Sequence, residues 1–287
     1  MEIKNIAWAT DFHPLSNHTF EWAKLFAERF RATLYAVHVI PEKKPFFSAL
    51  KREELENMFN LIEKETKERA EKIFKKKKED VGGRFKFEAF LLKGEITSKI
   101  VEFINERDIE LLIIGSSRVS ERRKIGTTAY RILTNVRIPV IVVPCERKVK
   151  LSKILVPIDF TRFSFKALEY VVGLSEKFEY EIHLLHVIEI LESIGLKEVE
   201  ERLLEETKNL LKKESERFKG KYKIFVNAIK RDEAEIGIIE FAQENDIDLI
   251  CMTTRGRKGI SHFLLGSSTE KVIKLSDIPV LAFNPVI

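Results

Sequence analysis

Glutamine occurs once in 287 residues, at Gln243; there are only two cysteines, two tryptophans and three methionines. Two cysteines, Cys145 and Cys251, cannot build a disulfide scaffold, and they fit a reducing compartment. No apolar run approaches the roughly 18 residues that span a bilayer. The opening MEIKNIAWATDF has no apolar stretch of signal-peptide length, so the expected location is the cytoplasm, with no membrane partner. A large excess of one charge is also missing, since 50 Lys+Arg against 45 Asp+Glu leave +5. A nucleic-acid binder gathers its excess on one face, so this balance argues against DNA or RNA. Scarce Gln beside abundant Lys and Glu resembles hyperthermophile composition and points to a thermophilic source. What is present is apolar sequence enough for real cores, 44% of the chain. The length is about twice a domain of roughly 100–150 residues, so two domains are expected.

The chain repeats itself. Ile6–Asp11 (IAWATD) matches Ile154–Asp159 (ILVPID), and Leu34–Ile40 (LYAVHVI) matches Ile182–Ile188 (IHLLHVI), both at a spacing of 148. Further on, Ile109–Gly115 (IELLIIG) matches Ile247–Thr253 (IDLICMT) at 138, and Arg137–Pro144 matches Asp277–Asn284 at 140. The order is conserved between the halves, which marks an internal duplication. The drift from 148 to 138 predicts about ten residues missing from the middle of the second copy. The step back to 140 places a two-residue deletion in one late loop of the first copy.

Short apolar runs alternate with amphipathic stretches. In the first copy strands are predicted at Ile3–Thr10, Thr33–Ile40, Phe85–Leu92, Leu111–Gly115 and Val140–Pro144. Helices are predicted around the stripe Phe20, Ala23, Leu25, Phe26, Ala27 and Phe30, then over Glu53–Lys78, Ile96–Glu106 and Ala129–Asn135. The second copy repeats this from Ile154 to Phe283. Strands that are apolar throughout, separated by helices, indicate a parallel sheet covered on both faces. The fold class is therefore α/β, with two tandem, doubly wound, five-stranded parallel sheets of Rossmann-like or flavodoxin-like type. The domains are 1–146 and 151–287, joined by the charged linker Glu146–Leu151. The last strand of each copy is an apolar edge, and such edges invite pairing. The two copies are expected to pair through these strands in pseudo-twofold fashion, and a homodimer of the whole chain is a further expectation.

Ligands of open α/β sheets sit at the carboxyl ends of the strands, at the switch point. With strand one between strands two and four, the second copy brings Pro157, Ile158 and Asp159, Val187, and Met252 and Thr253 to that end. Strand four runs into TTRGRKGISHFLLGSSTEKVI. Gly256, Gly259 and Gly266 allow close approach of main-chain amides. Gly266, Ser267, Ser268 and Thr269 open a helix whose N-terminus suits a phosphate. Arg255, Arg257 and Lys258 add positive charge, and Asp159 is placed to accept from ribose hydroxyls. The alternative is a glycine-containing surface loop leading into a capped helix.

On these residues the chain resembles the universal stress protein family, in its tandem two-domain form, over nearly its whole length. The family's nucleotide-binding members carry G-x-x-G-x9-G-[ST] after strand four. Gly256 and Gly266–Ser267 keep the nine-residue spacing, while the first motif position is Thr253 rather than glycine. The resemblance implies an adenine nucleotide alpha hydrolase-like fold. It also implies ribose held by Asp159, adenine recognised by the main chain of Val187, and ATP or AMP bound with phosphates across the glycine loop, Mg2+ accompanying ATP. The first copy retains Asp11, Val39, Gly115, Gly126 and Thr127, but Arg118 stands at the second glycine position. Only seven residues separate Arg118 from Gly126. A loop shortened by two and rich in Arg118, Arg122, Arg123 and Lys124 cannot follow the same path around a triphosphate, so this site reads as degenerate, the alternative being a monophosphate or another anion held by charge.

Other chemistries find no motif. GxxxxGK[ST], GxGxxG after a strand, GxSxG and SGGxDS are all absent. A receiver-type phosphoacceptor would need a second Asp after strand three, where Leu91-Leu92-Lys93-Gly94 stands. His13, His18, His38 and His186 lack metal-ligand spacing, the two thiols follow apolar runs, and Lys75–Lys78 close a helix. The expected function is an adenine-nucleotide-binding regulator or chaperone-like stress factor with no catalytic residue and no metal site. Two alternatives are a slow ATPase or adenylyl-transfer enzyme using Arg255, Lys258 and His262, and a structural pseudo-dimer without nucleotide.

Overall fold

A computed structural model describes residues 1–13, 16–42, 52–116, 126–144, 148–189, 197–218, 222–254 and 265–285, the side chains of 52–56 and 127 excepted. The first repeat runs β1 (Asn5–Ala9), α1 (Ser16–Phe30), β2 (Thr33–Pro41), α2 (Arg52–Val81), β3 (Phe87–Gly94), α3 (Ile96–Glu106), β4 (Leu111–Gly115), α4 (Thr127–Asn135) and β5 (Val140–Val143). The second runs β6 (Lys153–Pro157), α5 (Arg162–Leu174), β7 (Glu181–Glu189), α6 (Lys197–Ser215), β8 (Lys223–Arg231), α7 (Ala234–Glu244), β9 (Leu249–Thr253), α8 (Ser267–Leu275) and β10 (Val280–Phe283), with one 3₁₀ turn at Glu216–Phe218. Strand one begins two residues later than its apolar run and β3 begins at Phe87 rather than Phe85. The shortening in the middle of the second copy coincides with its charged helix, since α6 spans 19 residues where α2 spans 30.

The chain forms two compact units, Glu2–Gly115 and Ser116–Ile287 together with Met1. In the first, β1 lies between β2 and β4, with β3 outside β2, all parallel. Strands β1 and β4 are nearly all buried because helices cover both faces. Trp8 and Phe20 fill this core with ring centroids 5.0 Å apart, and Phe26 is also fully buried. The one polar atom of Trp8 is satisfied, Nε1 donating to Thr19 Oγ1 at 2.7 Å.

In the second unit the strand order is β5-β10-β9-β6-β7-β8. Here β6 lies between β7 and β9 in parallel, as β1 does in its own unit. The exception to parallel pairing is β5, which lies antiparallel on β10, with Ile141 opposite Leu281 and both 0% exposed. The repeat seam at 146–151 and the division between units at Gly115/Ser116 thus fall in different places. The physical reason is this ladder: β5 belongs to the first repeat by sequence, but its apolar edge is satisfied by the last strand of the second.

Candidate functional site

In the second unit, the parallel strands β6, β7 and β9 end on one side of the sheet, and the ends of β6 and β9 are each closed by a specific hydrogen bond. Ile158 N donates to Leu185 O at 2.8 Å, extending the β6–β7 ladder one step beyond Pro157. The chain then turns sharply. Asp159 Oδ1 accepts from Thr161 N at 3.0 Å and Thr161 Oγ1 at 2.6 Å, and Thr161 in turn caps α5 by accepting from Ser164 N. The carboxylate predicted to face a sugar therefore also organises the turn that presents it. In the β6–β7 register the last paired residue of β7 is Leu185. Successive residues of a parallel ladder direct their peptide groups to alternate sides. Val187 therefore turns its main chain toward β6 at a level that β6 has already left.

Strand β9 ends at Thr253, which is buried. Thr254 N bonds to Phe283 O at 2.9 Å, and Gly266 N bonds to Thr254 O at 2.7 Å. Thr254 and Gly266, twelve positions apart in the chain, are thus hydrogen-bonded, so the start of α8 is set against the end of β9. Thr269 Oγ1 reinforces the join by donating to Thr253 O at 2.8 Å in a buried position. Gly266 is the N-cap of α8, with φ −59° and ψ 141° and no side-chain hydrogen bond to the first turn. Ser267, Ser268 and Thr269 begin α8 at the sheet end that also holds Asp159 and Val187. Replacing Thr269 with Val should cost about 1–2 kcal/mol, because a buried acceptor loses its donor. A urea unfolding midpoint equal to wild type would refute that.

Of the residues read from sequence, Pro157, Ile158, Asp159, Val187, Met252, Thr253, Gly266, Ser267, Ser268 and Thr269 all belong to this unit and this sheet end. Arg255 and Gly256, with Lys258, Gly259 and His262, lie outside the described residues, as do Arg118, Arg122, Arg123 and Lys124. In the first repeat, Asp11, Val39 and Gly115 belong to one compact unit and Gly126 and Thr127 to the other. Asp11 repeats the turn of Asp159: Oδ1 accepts from His13 N at 3.0 Å and from Ser16 Oγ at 2.9 Å. Gly126 repeats the backbone of Gly266, with φ −59° and ψ 140°. Among the described residues no group of three or more His, Cys, Asp or Glu could hold a metal ion. Cys251 is fully buried, which pushes its thiol pKa up and leaves it inert; Cys145 lies outside the described residues.

Three further features shape this sheet end, of which only the matched strand-two histidines were visible in the sequence. The histidine of strand two is tied to the main chain just before the carboxylate turn in both copies: His38 Nδ1 lies 2.7 Å from Thr10 O, and His186 Nδ1 lies 2.6 Å from Ile158 O. A carbonyl only accepts, so each Nδ1–H donates. The residue after each carboxylate, Phe12 and Phe160, holds positive φ, at a cost of roughly 1–2 kcal/mol for a non-glycine residue. Gly237 in α7 sits where an added Cβ would lie 2.9 Å from Val187 Cγ1 and 2.9 Å from Arg231 Cγ. That missing side chain lets α7 pack against the residue whose main chain faces the open edge.

Burial pushes the His38 ring below its ordinary value of 6.5, against the hydrogen bond to Thr10 and the nearby Asp11, with Arg69 adding to the depression. A ring whose folded pKa is depressed binds fewer protons folded than unfolded. Its contribution is thus fully present above pH 6.5 and is lost as pH falls below it. His183 is depressed by burial too and acts in the same direction. The urea midpoint should fall between pH 7.5 and pH 5, and His38→Asn should shrink that fall. An unchanged difference would remove His38 from the account.

Comparison with known proteins agrees with the duplicated architecture. The universal stress protein family matches residues 2–144 and again 150–284. The chain belongs to the universal stress protein family. Universal stress protein MJ0577 of Methanocaldococcus jannaschii is 36% identical over 154 residues, covering 45% of this chain and 93% of that protein. Universal stress protein MJ0531 of the same organism is 32% identical over 137 residues, covering 45% of this chain and 80% of that protein. Each of these relatives corresponds to about one repeat. A universal stress protein from Archaeoglobus fulgidus superposes with a TM-score of 0.69, covering 99% of this chain and 97% of that one at 21% identity. At that identity the likeness establishes the shared fold. This universal stress protein is thus a tandem one, with no helix among the described residues long and apolar enough to cross a membrane.

Proposed function

We propose that the second repeat binds an adenine nucleotide, ATP or AMP, and that the chain acts as a nucleotide-responsive regulator or chaperone-like factor in a stress response. The observation that carries this reading is the return of the chain at Gly266 to Thr254 O at 2.7 Å. It holds an α8 N-terminus without side-chain cap at the sheet end that also holds Asp159 and the open main chain of Val187. Peptide N–H groups and the positive end of a helix suit phosphate. A carboxylate suits sugar hydroxyls, and a strand edge beyond its last ladder partner can read the donor and acceptor of a purine rim. In this reading Ser267, Ser268 and Thr269 hold phosphate, and Asp159 holds ribose. Val187 reads adenine, with Arg255 and Gly256 contributing from the loop. Mg2+ would accompany a triphosphate.

The reading is one of binding rather than turnover. The His186 ring is committed to Ile158 O, and Asp159 Oδ1 to the Thr161 turn, so neither is poised as a general base on a water. The test is to denature the purified protein and identify any co-purified nucleotide by mass, then to incubate the protein with radiolabelled ATP. An adenine nucleotide in near-stoichiometric amount supports the reading. Its absence, together with no binding of added ATP or AMP, would overturn it, and many turnovers per minute would replace binding with catalysis.

A further inference from the structure

Among the described residues five non-glycine residues hold positive φ. Arg31, Asp108 and Asp246 follow the ends of α1, α3 and α7, where a left-handed residue commonly closes a helix. Phe12 (58°) and Phe160 (60°) do not. Each stands in the turn from strand one into the next helix, directly after the carboxylate. Glycine or asparagine would hold that conformation with less strain than a bulky ring. Strained backbone held at a strand end is a mark of a functional position.

The two copies treat this ring differently. Phe12 is 8% exposed. Its ring lies 5.4 Å from Phe74 and 4.3 Å from His38, and its carbonyl accepts from Arg69 Nη2 at 3.3 Å. Phe74 and Arg69 both come from α2, so the longer helix of the first copy covers this turn from within its own unit. Phe87 and Ile224 are register-equivalent in the two sheets. Counted back from them, α6 carries Leu211 and Glu206 at the places of Phe74 and Arg69. Leu211 is fully buried, and Phe160 is half-buried. Its ring rests on His186 at 4.8 Å and near Phe165 at 6.5 Å.

We infer that Phe160 is a ligand-contacting residue, its ring packing against the nucleoside half of the nucleotide bound by the second repeat. This rests on the reading given under Proposed function. Phe160 follows the carboxylate assigned to ribose and touches the histidine that precedes the adenine-reading residue, while the phosphates belong at the far side, on α8. An aromatic face packs against any base, through dispersion and offset stacking rather than hydrogen-bond readout. In the first repeat the equivalent ring is consumed by packing against Phe74, an internal replacement for the ligand.

The test compares affinities of the full chain for ATP, ADP and AMP by calorimetry. Phe160→Gly relieves the backbone strain and removes the ring. It should weaken all three nucleotides by a similar factor, about tenfold, while leaving the melting temperature at or above wild type. Phe160→Trp keeps an aromatic face and should stay within about twofold of wild type, with an emission change on nucleotide addition that wild type does not show. A loss confined to ATP, an unchanged Phe160→Gly affinity, or a melting temperature that falls with the affinity would each overturn the inference while leaving nucleotide binding standing. If wild type binds none of the three, the function itself fails, and the role of Phe160 with it.

Discussion

On the proposed nucleotide-binding reading, replacing Gly266 with Val should strip nucleotide from the purified protein and lower its affinity for ATP or AMP at least a hundredfold, about 2.7 kcal/mol. The backbone does not forbid the change, because φ −59° and ψ 141° suit any residue. The fold should therefore survive, and a near-native melting temperature is the first thing to verify. The damage is local. Gly266 is the N-cap of α8 and its amide is bonded to Thr254 O, so a branched side chain there crowds the entrance to the first-turn amides. Asp159→Ala should give a comparable loss by removing the sugar acceptor and loosening the Thr161 turn together. The matching control is Gly115→Val at the end of β4. A Cβ on Gly115 meets Thr19 Cγ2 at 3.4 Å, ordinary contact, so that variant should fold and keep its nucleotide. Retention by Gly266→Val with loss in Gly115→Val would move the site to the first repeat.

Leu281→Asp should remove about 3–5 kcal/mol of stability, a third or more of the roughly 5–15 kcal/mol that holds a typical domain folded. Leu281 is 0% exposed in the middle of β10, flanked by β9 on one side and β5 on the other. A carboxylate there would be desolvated with no cation built to meet it. Leu281→Ala, which removes apolar contact without adding charge, should cost about 2–5 kcal/mol. Urea unfolding followed by circular dichroism reads both. An Asp variant with a wild-type midpoint would mean that the β5–β10 ladder is open to water in solution.

Much of the architecture was legible because it depends on composition and spacing. The offsets of 148 and 138 between matched apolar runs marked two copies and the shortened middle of the second, now seen as α6 against α2. Ile96–Glu106 and Leu111–Gly115 could be bounded to the residue, because an amphipathic stretch gives way to a short apolar run there. The grouping of Asp159, Val187, Thr253 and Gly266 followed from a general property of parallel sheets, that strand ends converge. The place where the units divide was not legible. Val140–Val143 reads as the end of the first copy in any linear account, and only its antiparallel ladder with Val280–Ala282 groups it with the second.

The sequence alone determined the duplication, the α/β class and the family, since all three are written in periodic apolar runs and in residue types at set intervals. Tertiary structure decided what each copy does with the same turn. Phe12 and Phe160 follow equivalent carboxylates and share a strained φ, yet Phe12 is buried against Phe74 with its carbonyl bonded to Arg69, while Phe160 is half-buried beside His186. Gly237 is an unremarkable helical glycine until a Cβ added there is seen to fall 2.9 Å from Val187 Cγ1. The physical reason is the same in each case. Spacing along the chain sets which residues reach a sheet end, but burial and close approach depend on which other element arrives there, and that is fixed only when the layers pack.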